Sequence, residues 1–322
     1  MSVRTAFIGA GGIASVHLSN IKASDLGDVV AICDIDSTVA ERTAETHDAT
    51  AFTDAEVLFE EMEFDAVVVS VPPFAHGEAE RLAAEYGTHL FVEKPLGLDR
   101  TTAETIDTAI AETDIITQVG HMNRYADIVE RAVELIDNRQ VALVNGHWYD
   151  GVAEAAWWRK KAQSGGQVVE QSTHVFDLVR YFAGDIDELH AFGEKQVIGD
   201  QVDFEDSVVA TMHHETGAVS HVATSCASPR YRTAVDVIGD GFDLQLNFNE
   251  NRLTGVVDGQ DIAYEGSGEE KYRDELEAFL TAVSTDDQSL VRSPYSDAKK
   301  TFEATLDVYE TIDDAASVEL ER

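Results

Sequence analysis

Short apolar runs alternate with longer amphipathic stretches through the first 120 residues of the chain. Runs rich in Val, Ile and Ala are typical of buried parallel strands, and the stretches between them have the apolar spacing of helices. The pattern predicts strands at 3–8, 29–32, 66–71, 90–92 and 115–119, with helices at 15–24, 77–86 and 101–112. Such alternation favours an α/β domain with a doubly wound parallel sheet.

After Gly120 the pattern changes to apolar runs that suit the sheet of a second domain. These runs lie at 141–144, 207–210 and 219–222. The sequence therefore predicts an N-terminal domain at 1–120 and a substrate-binding and oligomerisation domain at 121–322. A C-terminal helix at about 296–316 is a candidate for packing back on the first domain.

A glycine-rich turn follows the first predicted strand, and an acid follows the second. Gly9 permits a tight turn, Gly11 lets the backbone approach a pyrophosphate, and Ala14 allows helix and strand to pack closely. Asp34 would accept hydrogen bonds from ribose hydroxyls, and its charge favours NAD over NADP. The predicted cofactor-binding residues in these segments are Gly9, Gly11, Gly12, Ile13 and Asp34. A glycine-rich turn alone also occurs without any ligand.

One of the few lysines of this acidic chain, Lys94, directly follows the predicted strand at 90–92. It lies between Glu93 and Pro95, whose ring fixes the backbone. Because ligands of such sheets bind beyond the carboxyl ends of the strands, Lys94 is expected to point into the nucleotide cleft. The alternative is an ordinary surface lysine. The segment after the strand at 66–71 should open onto the same cleft, which adds Ser70, Pro72, His76 and Glu93 to the predicted cofactor-binding residues.

An apolar helix predicted at 169–182 carries a polar stripe. Glu170, His174, Asp177 and Tyr181 recur at helical spacing on one side. Two flanking carboxylates can fix the tautomer of a histidine and raise its basicity, which favours a catalytic role for His174. A buried histidine that holds the helix to a sheet would give the same pattern.

Four segments together resemble the glucose–fructose oxidoreductase / inositol 2-dehydrogenase family, also written Gfo/Idh/MocA. They are the glycine-rich turn, SVPPFAH, the EKP triplet and GG…EQSTHVFDLVRYFAG, and the likeness continues to SPYSDAKKTFEATLDVYETI. The resemblance implies a Rossmann domain and a second α/β domain with an open, mainly antiparallel sheet that serves substrate binding and oligomer contacts. It also implies that Lys94 acts in catalysis, often with a cis bond to the proline.

The resemblance extends to single residues of the helix at 169–182. His174 matches the family's histidine, Asp177 the acid after it and Glu170 the acid before it. This chain departs from the family pattern in two places, with Glu170 where Asp is usual and Ser172 where Gly is usual. A glutamate reaches further by one methylene, so the contact with substrate hydroxyls should differ.

Further residues are expected to line the pocket. His76 resembles the family's cofactor-side histidine. Asn123 and Arg124 begin the second domain, where Arg124 would hold a substrate hydroxyl or carboxylate, or else pair with one of the many acids. Trp158 precedes a flexible Ser-Gly-Gly loop and resembles a lid, although aromatic pairs more often pack in a core. The predicted substrate-binding residues are Asn123, Arg124, Trp158 and Asp177. The predicted catalytic residues are Lys94, His174 and Glu170.

These features predict an NAD-dependent oxidoreductase acting on a secondary alcohol of a sugar, sugar acid or cyclitol. Lys94 and His174 would carry the hydroxyl proton, since a lysine can become neutral and an arginine cannot. A carbonyl or imine reductase, or a sugar oxidoreductase with tightly held cofactor, would use the same scaffold. A non-catalytic NAD-binding regulator is the alternative from another class. No metal site is predicted, because His213 and His214 are neighbours in a strand pattern and point to opposite faces.

The net charge indicates which classes of partner the protein binds and in what salt concentration it works. The chain has 61 acidic residues against 23 Lys and Arg, a net charge of −38, dispersed along its length. The lack of basic patches argues against nucleic acid, and no apolar run has the ~20 residues of a membrane span. Dispersed acidity suggests a halophile, where molar salt screens repulsion beyond ~3 Å. Two distant cysteines indicate no disulfide framework. We expect a cytoplasmic homodimer or homotetramer.

Overall fold

A computed structural model describes residues 2–268 and 270–314 of the chain. Within these residues, no helix combines the length and the apolar composition needed to cross a membrane. The elements up to residue 126 are β1 Val3–Ile8, α1 Gly12–Ala23, β2 Gly27–Cys33, α2 Ser37–His47, β3 Thr50–Phe52, α3 Ala55–Glu61, β4 Ala66–Val69, α4 Glu78–Tyr86, β5 His89–Val92, α5 Arg100–Ala111 and β6 Thr117–Val119, with short 3₁₀ turns at Pro73–Ala75 and Met122–Tyr125.

The remaining elements continue in chain order. They are α6 Asp127–Ile136, β7 Val141–Tyr149, α7 Lys161–Ser164, a π-helical turn at Val168–Ser172, α8 Thr173–Ala183, β8 Ile186–Glu194, β9 Ser207–His214, β10 Val219–Ser225, β11 Arg232–Gly239, β12 Phe242–Asn247, β13 Arg252–Val257, β14 Gln260–Glu265, α9 Lys271–Thr285 and α10 Tyr295–Asp314, with short 3₁₀ turns at Gly199–Gln201 and Gln288–Leu290.

The chain forms two compact units. The first comprises Met1–Ala126 and Gly268–Lys299, and the second comprises Asp127–Ser267 and Lys300–Arg322. The chain thus returns to the first unit at 268–299. The substrate-binding and oligomerisation domain expected at 121–322 stays a prediction. The predicted C-terminal helix corresponds to α10, and its last two predicted residues, 315 and 316, lie outside the described residues.

The first unit contains a six-stranded parallel sheet in the order β3-β2-β1-β4-β5-β6. The central strands β4 and β5 are buried on both faces, which explains why their sequences are almost continuous apolar runs. Its core joins strand residues such as Phe7 and Phe91 to Leu276, Phe279 and Leu280 of α9. The expected doubly wound parallel sheet is confirmed.

The second unit contains an eight-stranded mixed sheet in the order β14-β13-β12-β11-β7-β10-β9-β8. Only β7 and β10 pair in parallel; the other neighbours are antiparallel. Exposure alternates strictly along β9, so one sheet face is buried and the other is open. Gly146 of β7 lets α8 approach the buried face, because a Cβ there would come within 2.3 Å of Val175. The expected open, mainly antiparallel sheet is confirmed.

The helix predicted at 169–182 has two parts. Residues Val168–Ser172 form a π-helical turn, and α8 begins at Thr173. A π turn closes its hydrogen bonds over five residues instead of four and so widens the helix locally. The 3.6-residue wheel therefore holds for His174, Asp177 and Tyr181 but does not extend to Glu170. Such turns occur frequently at functional sites.

Candidate active site

The glycine-rich turn leaves open space at the N-terminus of α1. Gly9 has φ +86°, and a Cβ there would lie 2.4 Å from the Ser70 carbonyl oxygen. Around Gly11 and Gly12, by contrast, an added Cβ would meet no described atom within 4 Å. Glycine at Gly9 is thus required by the protein's own packing. At Gly11 and Gly12 the space suits an external group, and the free N–H groups of a helix N-terminus favour an anion there. Ile13 lies in the first turn of α1.

Asp34, just after β2, is fixed by backbone hydrogen bonds. Its Oδ2 accepts from the N–H of Ala10 at 2.9 Å, and its Oδ1 accepts from the N–H of Asp36 at 3.0 Å. The carboxylate therefore links the glycine-rich turn to the end of β2. Next to it, Ile35 is almost fully exposed, at 97%. An acid with a neighbouring exposed apolar side chain fits a ribose and the edge of a base.

At the end of β4, a histidine is held by a buried carboxylate. Ser70 Oγ donates to the Gly9 carbonyl at 3.0 Å, and Pro72 leads into the 3₁₀ turn. The ring Nδ1 of His76 lies 2.5 Å from Glu80 Oε1, and Glu80 Oε2 accepts from the Gly77 N–H at 2.7 Å. Burial by itself would raise the pKa of Glu80, but the charge and hydrogen bond of His76 and the Gly77 N–H outweigh it and lower the pKa. His76 Nε2 is buried without a hydrogen-bond partner among the described residues.

Lys94 follows β5 and is half-buried, with a cis bond to Pro95. The preceding Glu93 is only 5% exposed, and its Oε1 lies 2.7 Å from Nε2 of His17 on α1. Glu93 Oε2 accepts from the Lys94 N–H at 3.2 Å. Glu93 therefore contacts the protein through both carboxylate oxygens. The structure places it beside Lys94 as a structural partner, while the predicted cofactor contact of Glu93 stays a prediction.

Past β6, the two predicted substrate residues are buried in contacts within the first unit. Asn123 accepts a 3.0 Å hydrogen bond at Oδ1 from Lys271 Nζ. Burial lowers the pKa of Lys271, partly offset by the charge of Glu275. Arg124, 3% exposed, lies 2.7 Å from Asp297. The pairing of Arg124 with an acid is thus observed, and its predicted contact with substrate stays a prediction.

In the second unit, Glu170 is held by a tryptophan. The indole N–H of Trp158 donates to Glu170 Oε2 at 2.7 Å. Trp158 is 2% exposed and packs edge-on against Phe204, with ring centroids 5.2 Å apart. This differs from an open lid, because the indole belongs to a small apolar cluster that also includes Cys226. Its predicted contact with substrate stays a prediction, whereas its contact with Glu170 is observed.

His174 is a buried residue of α8 and is 5% exposed. Its ring stacks on Trp148 of β7, with centroids 5.9 Å apart and planes inclined by 29°. Trp148 in turn contacts Tyr231, an exposed residue whose pKa is raised mainly by desolvation. The Trp148 indole nitrogen is buried without a hydrogen-bond partner among the described residues. The indole of Trp148 and the imidazole of His174 thus lie side by side in a buried position.

Asp177, one turn after His174, contacts α10. Thr301 Oγ1 donates to Asp177 Oδ1 at 3.1 Å and accepts from Arg180 at 2.9 Å. Arg180 also pairs with Asp185 at 2.9 Å. Asp177 is 1% exposed. Its observed hydrogen bond therefore holds α8 to α10, and its predicted contact with substrate stays a prediction.

Ser172, which stands where glycine is usual, ties the π turn to the sheet. Its Oγ lies 2.5 Å from Thr224 Oγ1 of β10, and Thr224 donates to Gln167 Oε1 at 2.9 Å. All three residues are at most 3% exposed. The hydroxyl that departs from the family pattern thus completes a buried hydrogen-bond network directly beside Glu170.

Two residues near the predicted site had not been singled out from the sequence, His17 and Lys271. His17 occupies a buried position of α1 together with Ala14, Leu18 and Ile21. A histidine at a core position of an amphipathic helix is a detectable signal, because buried polar side chains require a partner. Lys271 gives no comparable signal, since a lysine at the start of a helix is ordinarily exposed.

The glycine-rich turn and the strand ends around it fit a dinucleotide. The open glycine-rich turn, Asp34 and the ends of β4 and β5 belong to one unit and lie on the carboxyl side of adjacent strands. Among the described residues, no group of three His, Cys, Asp or Glu side chains could hold a metal ion. His213 is exposed and His214 buried, as expected for neighbours in a strand.

Comparison with known proteins agrees with this geometry. Residues 3–121 match the GFO/IDH/MocA oxidoreductase family with an NAD-binding Rossmann fold, and residues 132–244 match the GFO/IDH/MocA C-terminal domain. The scyllo-inositol 2-dehydrogenase (NAD(+)) of Bacillus subtilis is 29% identical over 235 residues, which cover 70% of this chain and 68% of that protein. The D-xylose 1-dehydrogenase (NADP(+)) 2 of Haloferax volcanii is 26% identical over 291 residues, covering 84% and 85%.

A solved structure supports the fold over almost the whole chain. Levoglucosan dehydrogenase in complex with NADH superposes with a TM-score of 0.86 at 17% identity and covers 97% of each chain. The two family matches together span most of the chain. This protein belongs to the GFO/IDH/MocA family of oxidoreductases and carries that family's NAD-binding Rossmann domain.

Proposed function

We propose that this protein is an NAD-dependent dehydrogenase that oxidises a secondary alcohol of a sugar, sugar acid or cyclitol, or reduces the matching ketone. The observation that carries the proposal is Lys94. This residue follows β5 at the carboxyl edge of the sheet that bears the open glycine-rich turn. Bound NAD would supply the hydride acceptor. The named relatives from Bacillus subtilis and Haloferax volcanii are sugar or cyclitol dehydrogenases, which supports the substrate class.

Six of the predicted residues have a defined task in this proposal. Gly11 and Gly12 leave room for the pyrophosphate, and Asp34 accepts from the ribose hydroxyls. Lys94, as a neutral amine, takes the proton of the reacting hydroxyl and returns it in the reverse direction. His174, a residue of the second unit, takes part in the transfer of the same proton. Glu170 accepts a hydrogen bond from a neighbouring substrate hydroxyl.

Asp34 favours NAD over NADP in this chain. A carboxylate would repel a 2′-phosphate, and two backbone N–H groups hold the carboxylate in place. The Haloferax volcanii relative uses NADP by name, so both nucleotides belong in the assay.

The test is a screen of polyols and sugars with NAD and NADP in concentrated KCl, following the absorbance of reduced nicotinamide. We expect turnover on at least one polyol or sugar, faster with NAD. In Lys94→Met the rate should fall by about 100-fold or more, while the affinity for NADH changes by no more than a few-fold. Lys22→Met, at an exposed lysine of α1, is the control and should keep the wild-type rate.

Three results would contradict the proposal. NADH binding without turnover on any compound would favour the non-catalytic regulator. Turnover that never releases free NADH would favour the enzyme with tightly held cofactor. A Lys94→Met protein that retains more than about a tenth of the rate would remove Lys94 from proton transfer.

A further inference from the structure

A buried histidine on α1 contacts the carboxylate next to Lys94. His17 is 0% exposed and lies on the core face of the helix that follows the glycine-rich turn. Its Nε2 is 2.7 Å from Glu93 Oε1, although the two residues are 76 positions apart in the sequence. The ring packs edge-on against Phe91 of β5, with centroids 4.9 Å apart. The contact therefore joins the dinucleotide helix directly to the strand that ends at Lys94.

The Glu93 carboxylate has little freedom to move. Its Oε2 accepts from the Lys94 N–H at 3.2 Å. A Cβ on Gly120 would lie 2.6 Å from that same oxygen, so only glycine fits beside it. The Glu93 N–H is also fixed, by a 2.8 Å hydrogen bond to Val69 of β4. The carboxylate is therefore enclosed by His17 of α1 on one oxygen and by Gly120, after β6, on the other. The backbone of Glu93 is held separately, by β4.

Packing alone does not explain a histidine at this position. Its Nδ1 is buried and has no hydrogen-bond partner among the described residues. A buried ring nitrogen without a partner is unfavourable, and an apolar side chain of similar size would avoid that cost. The compensating contact is the one at Nε2. An ionised carboxylate can only accept, so with Glu93 ionised the Nε2–H of His17 donates to Oε1 while the Lys94 N–H donates to Oε2.

We propose that His17 is a positioning residue for Lys94, acting through the buried Glu93 carboxylate. By holding Oε1, His17 fixes the rotation of the carboxylate, and Oε2 then fixes the N–H of Lys94 where the strand ends. The direction of the lysine side chain follows from that backbone. Because α1 begins at the glycine-rich turn, the same contact relates the helix that faces the dinucleotide to the amine. The inference rests on the proposed role of Lys94 as the proton acceptor.

Three substitutions at one position separate this role from packing. His17→Phe keeps the ring and its contact with Phe91 but removes the donor. His17→Gln places an amide nitrogen near the position of Nε2, whereas the shorter side chain of His17→Asn does not reach Glu93. His190→Gln is the matched control, because His190 makes a similar 3.1 Å contact with Glu188 but is 68% exposed.

We expect kcat to fall about 10- to 100-fold in His17→Phe and His17→Asn, with the affinity for NADH within about threefold of wild type. The pH profile of kcat should change in both. His17→Gln should recover most of the rate, and His190→Gln should match the wild type. Equal kcat values and pH profiles for the Gln and Asn variants would overturn the inference, even if His17→Phe fails to fold.

A second measurement does not need turnover. Brief acetylation across a range of pH, followed by peptide mass spectrometry, gives the reactivity of the Lys94 amine relative to Lys22 in the same protein. The profile of Lys94 should change in His17→Phe and His17→Asn and should return in His17→Gln. An unchanged profile would overturn the role of His17. If instead the wild-type protein oxidises no polyol, the proposed function fails, and this labelling still decides whether His17 positions Lys94.

Discussion

At the scale of single residues, the second unit holds its acid in an unusual way. Glu170 stands where the family pattern has aspartate, and its carboxylate is held by the indole N–H of Trp158 at 2.7 Å. The extra methylene is what lets Oε2 meet a tryptophan that is itself buried against Phe204. The glutamate and the tryptophan are therefore a matched pair, and we expect each to depend on the other.

Trp158→Phe tests this pair, because it keeps an aromatic ring in the cluster and removes the N–H. We expect kcat/KM for the sugar or polyol to fall about tenfold, the effect of losing a hydrogen bond to a charged group. The affinity for NADH should stay unchanged. Trp157→Phe is the control, because Trp157 packs against the same cluster and makes no described hydrogen bond to Glu170.

Glu170→Asp in the Trp158→Phe background extends the test. If the pair is matched, the two substitutions should not be additive, because Trp158→Phe already removes the hydrogen bond that the shorter side chain of Glu170→Asp would also lose. Additive losses in kcat/KM would show that Glu170 and Trp158 act independently.

At the scale of elements, the π turn at Val168–Ser172 decides where Glu170 lies. The turn is held to β10 by Ser172 and Thr224, and Thr224 also bonds Gln167 on the other side of the turn. Without these bonds, the wider π hydrogen-bonding pattern would compete with ordinary α-helical bonding. The serine that replaces the family's glycine thus belongs to the hydrogen-bond network that holds the π turn, and with it the position of Glu170.

Thr224→Val removes the central hydroxyl at nearly constant volume. It leaves the Ser172 hydroxyl and the Gln167 amide buried without that partner, so the free energy of unfolding should fall by about 1–3 kcal/mol. We also expect kcat to fall, since Glu170 would shift with the turn. Denaturant unfolding and steady-state kinetics measure the two effects. Thr211→Val, on the open face of the neighbouring strand β9, is the control. It should change the free energy of unfolding by no more than about 0.5 kcal/mol and should leave kcat unchanged.

The sequence predicted the elements well where one periodicity held throughout. β1, α1 and β2 are confirmed around the glycine-rich turn, as are β5 and the position of Lys94 at its end. The π turn could not be predicted, because one extra residue per turn is smaller than the tolerance of a helical wheel. Contacts such as His17 with Glu93 were also out of reach, because they depend on how distant segments meet.

At the scale of the whole molecule, the sequence predicts the surface charge but not the packing of distant segments. The helix α9 has an ordinary amphipathic pattern, and nothing in that pattern says that Leu276, Phe279 and Leu280 pack into the core of the first unit. The dispersed charge, in contrast, is fully visible in the sequence. A net charge of −38 on a chain of 322 residues makes self-repulsion a property of the whole surface.

Salt should therefore stabilise this protein. Raising KCl from about 0.1 M to 1 M shortens the screening length from ~10 Å to ~3 Å, which removes most repulsion between neighbouring surface acids. We expect the melting temperature to rise by on the order of 10 °C, equivalent to a few kcal/mol for a chain of this size. Thermal unfolding followed by circular dichroism at increasing KCl measures the shift.

A charge variant separates screening from general effects of salt on hydrophobic burial. Five exposed glutamates on helices of the first unit or at their ends, Glu41, Glu45, Glu60, Glu104 and Glu112, can be replaced by lysine. Each replacement removes one negative charge and adds one positive charge, so the five together change the net charge from −38 to −28. If repulsion is the cause, this variant should melt at a higher temperature in low salt and gain less from KCl. A salt dependence equal to that of the wild type would instead assign the stabilisation to burial of apolar surface, which salting-out ions strengthen irrespective of charge.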